Sequence, residues 1–527
     1  MSATKPIKNL SCPSSFSFEY TLIEWFYFDE LSMQAYKELE QLFDNIAHLN
    51  HLDAIIGWDE AVMMPPGGAK KRGEAMAYLR GLKHTMLTTN KVAELLNQCQ
   101  VESLKAPWQS ANYLWMKRQY QRACAVPNDL VKRLSIASVQ CEQAWRVLRP
   151  KNDWQQFKPL LQTVFDLSYE SSLYKADALG LDIYDQCLDE FSPGCSQALI
   201  TPIFDQLRSV LPPLIQATVA KQRMDNYQPI TGHYPIEKQR QLSRELMAII
   251  GFDFNHGRFD VSHHPFCGGV ADDVRITTRF KESDFTSAIM GVCHETGHAM
   301  YELGLPREWL SQPVGLALGM AVHESQSLLV EMQVCRSQDF LKVLMPKLKH
   351  YFGESDVLSF ENLSMHYTRV KPDYIRVDAD EMTYPLHVIL RYEIEKALFA
   401  KDITIDDLPS IWHEKMQQYL GLSTQGNYQN GVMQDVHWPC GLFGYFPAYT
   451  LGALIAAQLY SAALKQQPSI PSAISEGNFV PLMTWLRKHI HSKACSEDFQ
   501  TLLKEATGEG LNPHHYITHI KKRYGVS

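Results

Sequence analysis

The chain has 527 residues, of which 45% are hydrophobic and 20% charged, with a net charge of −8 and a pI near 6.2. This balance gives no reason to expect binding to nucleic acid or to an anionic membrane surface. No uninterrupted apolar run reaches the ~20 residues that a membrane helix needs, and the composition is that of a soluble globular protein.

The N-terminus and the cysteines bear on the cellular location. Residues 1–19 lack the apolar core of about 7–15 residues that a secretory signal contains. Eleven cysteines are scattered singly along the chain, without Cys-x-x-Cys spacing. In a secreted protein these cysteines would need partners, whereas in a reducing compartment they are ordinary small apolar residues. We therefore expect a cytoplasmic protein.

Most of the chain has the periodicity of amphipathic helices. Four segments carry this pattern most clearly: 31–57, 68–105, 110–180 and 235–252. Pro65-Pro66-Gly67-Gly68 predicts a turn between the first two segments, and Pro127 predicts a break in the third. No Gly/Ser-rich or Pro-rich linker divides the chain. We predict one mainly α-helical domain at 31–527, preceded by an N-terminal extension at 1–30 with no assigned role.

One segment departs from the helical pattern. Between Asp273 and Phe280, apolar and polar side chains alternate as they do in a half-buried β-strand. Gly268-Gly269 shortly before it suggests a hairpin turn. We therefore predict a small β-hairpin or sheet within 258–280.

The next helix contains the most informative motif of the chain, His294-Glu295-Thr296-Gly297-His298. Histidines four residues apart lie about 40° apart around a helix and one turn from each other, so both imidazoles can reach one ion. Ser283-Asp284 as an N-cap, and Gly304 with Pro306 as a stop, place the motif inside one helix. Glu295 lies beside the ion, where it can accept a proton from a metal-bound water. The motif predicts the metal centre of a zinc-dependent peptidase.

A catalytic zinc ion usually has three protein ligands and keeps a fourth position for water. Glu324 is the best candidate for the third ligand, because an unpaired carboxylate would be costly in such an apolar helical segment. His323 is the competing candidate. Cys293 adjoins the first histidine, but consecutive helical residues diverge by about 100°, so we expect it to point into the core.

Several ordered motifs, taken together, resemble those of one enzyme family. They are Trp58-Asp59 with Met64-Pro65-Pro66-Gly67-Gly68-Ala69, His264-Pro265-Phe266, Asp273-Val274-Arg275-Ile276-Thr277, the metal helix, His323-Glu324-Ser325-Gln326, Ile375-Arg376-Val377-Asp378-Ala379-Asp380, and Gly431-Val432-Met433-Gln434-Asp435-Val436-His437-Trp438. In this order they resemble the Taq-type metallocarboxypeptidases, helical zinc- or cobalt-dependent enzymes that remove single residues from peptide C-termini.

The resemblance implies a fold, a cofactor and partners. It implies one large helical body with a deep central cleft and a small β-hairpin or sheet before the metal helix. It implies Zn²⁺, with Co²⁺ as the alternative, peptide substrates with a free C-terminus, and a homodimer. It also implies polar groups that stabilise the oxyanion, for which the candidates are His264, His437 and Tyr449. Tyr445 is the second choice of tyrosine and a candidate for substrate binding.

An exopeptidase must recognise a free C-terminal carboxylate, and the fork of a guanidinium matches its two oxygens. Arg376 is the leading candidate because it lies in a motif of the family. Arg275 is the alternative, although it could instead pair with Asp273 or Asp378 and brace the site. Asp380 and Asp435 are candidates for accepting hydrogen bonds from the metal-site histidines, with structural salt bridges as the other possibility.

Two other functions stay open. The same metal core serves helical oligopeptidases and dipeptidyl carboxypeptidases, which cut internal or penultimate bonds. A metal-bearing scaffold protein without turnover is the second. Glu295 argues against the scaffold, because a structural zinc site has four protein ligands and no use for a base.

Overall fold

The structure, a computed structural model, describes residues 18–262 and 265–527, with side chains from residue 29 onward. The first ten helices are α1 (Phe18–Val62), α2 (Ala69–Leu87), α3 (Asn90–Gln98), α4 (Pro107–Ala125), α5 (Asn128–Leu148), α6 (Trp154–Leu179), α7 (Ile183–Phe191), α8 (Gln197–Gln222), α9 (Ile236–Ile250) and α10 (Thr286–Glu302). The next ten are α11 (Gly319–Leu328), α12 (Gln338–Phe352), α13 (Phe360–Tyr367), α14 (Tyr384–Phe399), α15 (Leu408–Leu420), α16 (Pro447–Gln466), α17 (Ile470–Ser475), α18 (Val480–His489), α19 (Phe499–Thr507) and α20 (His514–Tyr524). The predicted mainly helical fold is confirmed.

Local sequence signals account for most helix ends. The break at Pro127 is confirmed, and α9 ends before Gly251, whose φ of +117° suits glycine. Two further breaks were not predicted. Thr89 caps α3 by accepting from the Val92 N–H, and Asp153 caps α6 by accepting from the Gln156 N–H. At both positions the apolar periodicity of the sequence continues, although the capping residue starts a new helix. A cap depends on a single side chain, which a periodicity over many residues does not reveal.

The three strands within the described residues form one small sheet in the order β1 (Gly257–Val261), β3 (Asp273–Thr278), β2 (Phe266–Val270). β1 is parallel to β3 and β2 is antiparallel to it, so the predicted hairpin is present. Its turn is Ala271-Asp272, whereas the predicted turn Gly268-Gly269 lies within β2. Gly269 has a φ of +87°, and a Cβ there would lie 2.1 Å from the Asp273 carbonyl oxygen. The glycine therefore permits a close backbone approach inside the hairpin.

Helix α10 lies between the sheet and the main helical core. On one side, Val292 and Ala299 pack with Val274 and Ile276 of β3 and with α9. On the other side, Ile289, Cys293 and Met300 belong to the large core shared by most other helices. Cys293 is fully buried, which confirms the expectation that it points into the core.

Two further features concern the organisation of the chain. Helix α1 runs without interruption across residue 30, where the N-terminal extension is predicted to end, so that boundary stays a prediction. Within residues 18–262 and 265–527, no helix combines the length and apolar character needed to cross a membrane.

Candidate metal centre and active site

The helix that carries the motif begins and ends where its sequence predicts. The Asp284 carboxylate accepts from the backbone N–H of Thr286 at 2.8 Å and of Ser287 at 3.4 Å. The helix ends at Glu302, two residues before Gly304. It has 17 residues, and the motif lies entirely inside it.

The three predicted ligands lie together. One ligand atom each from His294, His298 and Glu324 lies within 4.8 Å of the others, and all three side chains are at least largely buried. Glu324 Oε2 is 3.3 Å from His298 Nε2 and 3.8 Å from His294 Nε2. Ligand atoms placed ~2.0–2.2 Å from a tetrahedral ion would be about 3.3–3.6 Å apart. Two imidazoles and one carboxylate in this arrangement fit a single divalent ion.

His294 is held by a carboxylate that the sequence analysis did not identify. Its Nδ1 lies 2.9 Å from Glu331 Oε2, and Glu331 Oε1 accepts from Arg336 Nη2 at 2.6 Å. Burial opposes the charged form of Glu331, but Arg336 and His294 hold its pKa at about 2. A carboxylate on Nδ1 orients the ring and leaves Nε2 for a metal ion.

His298 is supported by a second histidine. Its Nδ1 lies 2.6 Å from His323 Nδ1, so one ring donates to the other, and His323 Nε2 lies 2.7 Å from Glu302 Oε1. His323, the competing ligand candidate, therefore lies outside the ligand group and orients His298. Of the two roles left open for Asp380 and Asp435, that of accepting a hydrogen bond from His294 or His298 is wrong, because Glu331 and His323 occupy those positions.

Two glycines allow the ligand-bearing helices to approach closely. A Cβ on Gly297 of α10 would lie 2.5 Å from the Gln326 carbonyl oxygen of α11. A Cβ on Gly452 of α16 would lie 2.8 Å from both Cβ and Cγ of Glu324. Helix α11 is therefore enclosed between α10 and α16, and Glu324 is held against the histidines.

We expect Gly452→Ala to weaken metal binding. The added methyl would overlap the Glu324 side chain, and overpacking of this kind costs about 1–3 kcal/mol of stability. Thermal unfolding and Zn²⁺ affinity measured against a chelator would report the two effects. Gly81→Ala on α2 is the matched control, since beyond the adjacent backbone of its own helix no atom lies within 4 Å of the added Cβ. Unchanged Zn²⁺ affinity in Gly452→Ala would show that Gly452 does not position Glu324.

Glu295 lies beside the ligand group and is nearly inaccessible, with 7% of its surface exposed. Burial raises the pKa of its carboxyl to about 7, while the His294 ring opposes this shift. Burial raises the pKa of the Cys267 thiol of β2, and the charge of the Glu295 carboxylate adds to this effect. The Glu295 side chain therefore lies within electrostatic range of both the ligand group and β2.

The aromatic residues predicted to act on the oxyanion also lie together. His437 Nε2 is 3.1 Å from the Tyr449 hydroxyl, and the Tyr445 ring centroid is 5.3 Å from His437 and 5.4 Å from Tyr449. Burial raises the pKa of Tyr449 well above its usual value, with Arg376 opposing and Glu324 adding. Tyr449 therefore lies within electrostatic range of both Arg376 and a candidate metal ligand. His264 lies outside the described residues.

Arg376 takes part in a buried cluster of charges. Its Nε and Nη2 donate to Asp435 Oδ1 at 3.2 and 3.0 Å, and its Nη1 donates to the Tyr384 hydroxyl at 3.3 Å. Arg391 donates through Nε to the other oxygen of Asp435 at 2.8 Å. The guanidinium carbon of Arg376 lies 4.6 Å from the centroid of the Tyr449 ring. The salt-bridge alternative for Asp435 is therefore the correct one.

Arg275 adopts the bracing role that the sequence left open. Its Nε and Nη2 donate to the two oxygens of Asp273 at 2.9 and 2.5 Å, and its guanidinium lies over the Trp58 ring at 4.7 Å. Arg258 lies over the same ring at 4.8 Å. These contacts tie α1 to the sheet.

The helical body holds two helix-borne histidines, a facing glutamate and a buried carboxylate beside them. This combination defines a helical metallopeptidase. The family "Carboxypeptidase Taq (M32) metallopeptidase" matches residues 38–524, and the chain belongs to this family. The enzyme is therefore a metallocarboxypeptidase that works with a divalent metal ion and acts on peptides.

Relatives and solved structures agree over nearly the whole chain. Thermostable carboxypeptidase 1 of Thermus thermophilus is 35% identical over 507 residues, covering 93% of this chain and 98% of that protein. Carboxypeptidase 1 of Bacillus subtilis is 33% identical, covering 93% and 97%. The structure of Trypanosoma cruzi metallocarboxypeptidase 1 superposes with a TM-score of 0.92 at 39% identity, covering 94% of this chain and all of that one.

Proposed function

We propose that the chain releases single residues from peptide C-termini by holding the terminal carboxylate at Arg376 over a metal ion bound by His294, His298 and Glu324. The observation that carries this proposal is the charge cluster around Asp435. Two guanidinium groups share one carboxylate there, and all three side chains are at most 12% exposed.

The cluster carries an excess of positive charge, which the nearby Glu395 carboxyl offsets only in part, because burial raises its pKa to about 7. Burial opposes the ionised form of Asp435, but Arg376 and Arg391 keep its pKa far below the usual value, so it contributes one negative charge. Burial lowers the pKa of Arg391 to about 10, which leaves it charged at neutral pH. Burial lowers the pKa of both neighbouring histidines, His387 and His437, to about 3, so neither is charged. A buried unpaired charge is costly, and a substrate carboxylate would compensate it.

Arg376 also has N–H donors that remain available for the substrate carboxylate. Among the described residues, its hydrogen bonds use three of the five N–H groups of the guanidinium. The Tyr449 ring lies against it and within electrostatic range of Glu324. A peptide bound here would pass the aromatic group of Tyr445, Tyr449 and His437 on the way to the metal ligands.

The bound ion would supply Lewis acidity, polarising the scissile carbonyl and acidifying the attacking water. Glu295 accepts the proton of that water and delivers it to the leaving amine, which its position beside the ligands allows. The Tyr449 hydroxyl, oriented by His437, donates to the developing oxyanion, with Tyr445 as the alternative donor. His264 is proposed for the same task on the strength of the family motif alone. Arg376 aligns the substrate so that the last peptide bond meets these groups.

We expect amidation of a peptide's C-terminus to abolish most cleavage. Losing one partner of a buried, hydrogen-bonded charge pair costs about 2–5 kcal/mol, which corresponds to roughly a 30-fold to several-thousand-fold loss in kcat/KM. Mass spectrometry of matched free-acid and amidated peptides, incubated with metal-loaded enzyme, measures the ratio. Equal cleavage of both would favour the oligopeptidase alternative.

Three finer points belong to the same proposal. Two imidazoles and a carboxylate suit Zn²⁺, with Co²⁺ as the alternative. The ten described cysteines are all free thiols, which favours the reducing environment of the cytoplasm. A homodimer is proposed from the family resemblance.

A further inference from the structure

The helix that carries Glu324 changes its hydrogen bonding one turn after that residue. Residues Leu329–Cys335 form a π-helical segment that continues directly from α11. In a π-helix each N–H bonds the carbonyl five residues back, so the turn holds an extra residue and is intrinsically unfavourable. Glu331, which orients His294, lies inside this segment. Contacts that stabilise the π-helical segment therefore also fix the orientation of the Glu331 side chain relative to His294.

The segment is held by the C-terminal helix. Arg523 of α20 donates through Nη1 to the carbonyl oxygen of Met332 and through Nη2 to that of Gln333 at 3.0 Å. These two carbonyls directly follow Glu331. A planar guanidinium is suited to two adjacent acceptors, because its N–H groups form a rigid fork.

Arg523 is itself anchored by a buried carboxylate. Its Nη1 lies 2.9 Å from Glu381 Oε2, and Glu381 Oε1 lies 2.7 Å from His519 Nε2. The Tyr516 hydroxyl donates to the Glu381 backbone carbonyl at 2.6 Å. Burial opposes the charge on Glu381, but Arg523 and His519 keep its pKa at about 2. The charged, fully buried Glu381 carboxylate thus positions the guanidinium group of Arg523.

We propose that Arg523 is a positioning residue of the metal centre: by holding the carbonyls of Met332 and Gln333, it fixes the π-helical turn that aims Glu331 at His294. The C-terminal helix then acts on metal affinity without touching the metal ligands. This inference rests on the proposed ligand set.

A purely structural role for Arg523 makes a different prediction. If Arg523 only docks α20 on the body, its loss and the loss of Glu331 should have independent effects on Zn²⁺ binding. If Arg523 acts through Glu331, its loss should have no effect once Glu331 can no longer accept the His294 hydrogen bond.

The test is a double-mutant cycle on the full chain, with Zn²⁺ affinity measured by competition with a chelator. Loss of an outer partner of a metal ligand typically weakens binding by 10–100-fold, so we expect Glu331→Leu to fall in that range and Arg523→Ala to weaken binding about tenfold. The double variant should bind Zn²⁺ as tightly as Glu331→Leu alone. Independent, multiplying effects, or wild-type affinity in Arg523→Ala, would overturn the proposal.

If Arg523→Ala does not fold, Arg523→Lys tests the positioning role of Arg523 instead. Lysine keeps the charge opposite Glu381, but a point charge cannot span two carbonyls. We expect weaker Zn²⁺ binding by a variant that circular dichroism shows to be folded, and wild-type affinity would refute the proposal. Lys522→Ala, at an exposed neighbouring position, is the matched control. His294→Ala tests the ligand set separately, because wild-type affinity there would contradict the proposed ligands rather than the role of Arg523.

Discussion

Glu295→Gln is expected to retain its metal and to lose about 10²–10⁴-fold in kcat, the range that general-base catalysis supplies. The amide keeps the shape of the side chain but cannot accept a proton from water. Because Glu295 lies beside the ligands and not among them, metal affinity should change little. Metal content by atomic absorption and kcat on a free-acid peptide measure the two quantities on the same sample.

Two further variants sharpen this test. Glu295→Asp keeps the acid but withdraws the carboxylate by roughly one C–C bond, and a misplacement of about 1 Å can cost about 10²-fold. Its activity should lie between those of the wild type and Glu295→Gln. Glu308→Gln changes an exposed glutamate just beyond the same helix and should leave both quantities unchanged. Near-normal turnover of a metal-replete Glu295→Gln enzyme would remove Glu295 from the mechanism.

The features that could be predicted from the sequence are those that depend on residues close together in the chain. The metal helix was predicted because its ligand spacing, its capping aspartate and its terminal glycine lie within about 20 residues. Glu324 was predicted because a carboxylate in an apolar run needs a partner. The same argument applies to Glu331, seven residues further along the same apolar segment, because its carboxylate also needs a partner.

The contacts that orient the site join residues far apart in the chain. Arg376 meets Asp435 across 59 positions, and Arg391 meets it across 44. Periodicity and capping carry no information about such pairs, since they depend on how the helices pack. The sequence could therefore suggest that Arg376 matters, but not that Asp435 holds it together with a second arginine. For the same reason, the sequence leaves the role of Asp435 open between a hydrogen-bond acceptor for a histidine and a salt bridge.

Sharing the Asp435 carboxylate with Arg391 changes what Arg376 can bind. A single Arg–Asp pair would be neutral and would have little affinity for an anion. Two arginines on one aspartate leave a net positive charge, and they fix both guanidinium planes before substrate arrives. Holding the donors in place in advance avoids an ordering cost when the substrate binds. If Arg376 binds the substrate carboxylate as proposed, Arg391 and Asp435 contribute to that recognition by orienting Arg376.

Arg376→Ala is expected to lower kcat/KM on free-acid peptides by roughly 30-fold to several-thousand-fold, the cost of about 2–5 kcal/mol for one partner of a buried charge pair. Arg376→Lys should recover little of this loss, because an ammonium group cannot reproduce the fork that meets two oxygens. Folding should persist, since Asp435 keeps its contacts with Arg391. Steady-state kinetics on a short peptide, with circular dichroism as the check on folding, measure the effect.

The decisive comparison varies the enzyme and the substrate together. If Arg376 binds the terminal carboxylate, amidating the peptide should be costly for the wild-type enzyme and nearly without effect for Arg376→Ala, because the interaction is already absent. Arg275→Ala is the matched arginine variant. It loses its pair with Asp273 and its contact with Trp58, and it should still discriminate free acid from amide as the wild type does. The reverse pattern, with discrimination kept in Arg376→Ala and lost in Arg275→Ala, would transfer carboxylate recognition to Arg275. Discrimination kept in both variants would show that neither arginine binds the carboxylate.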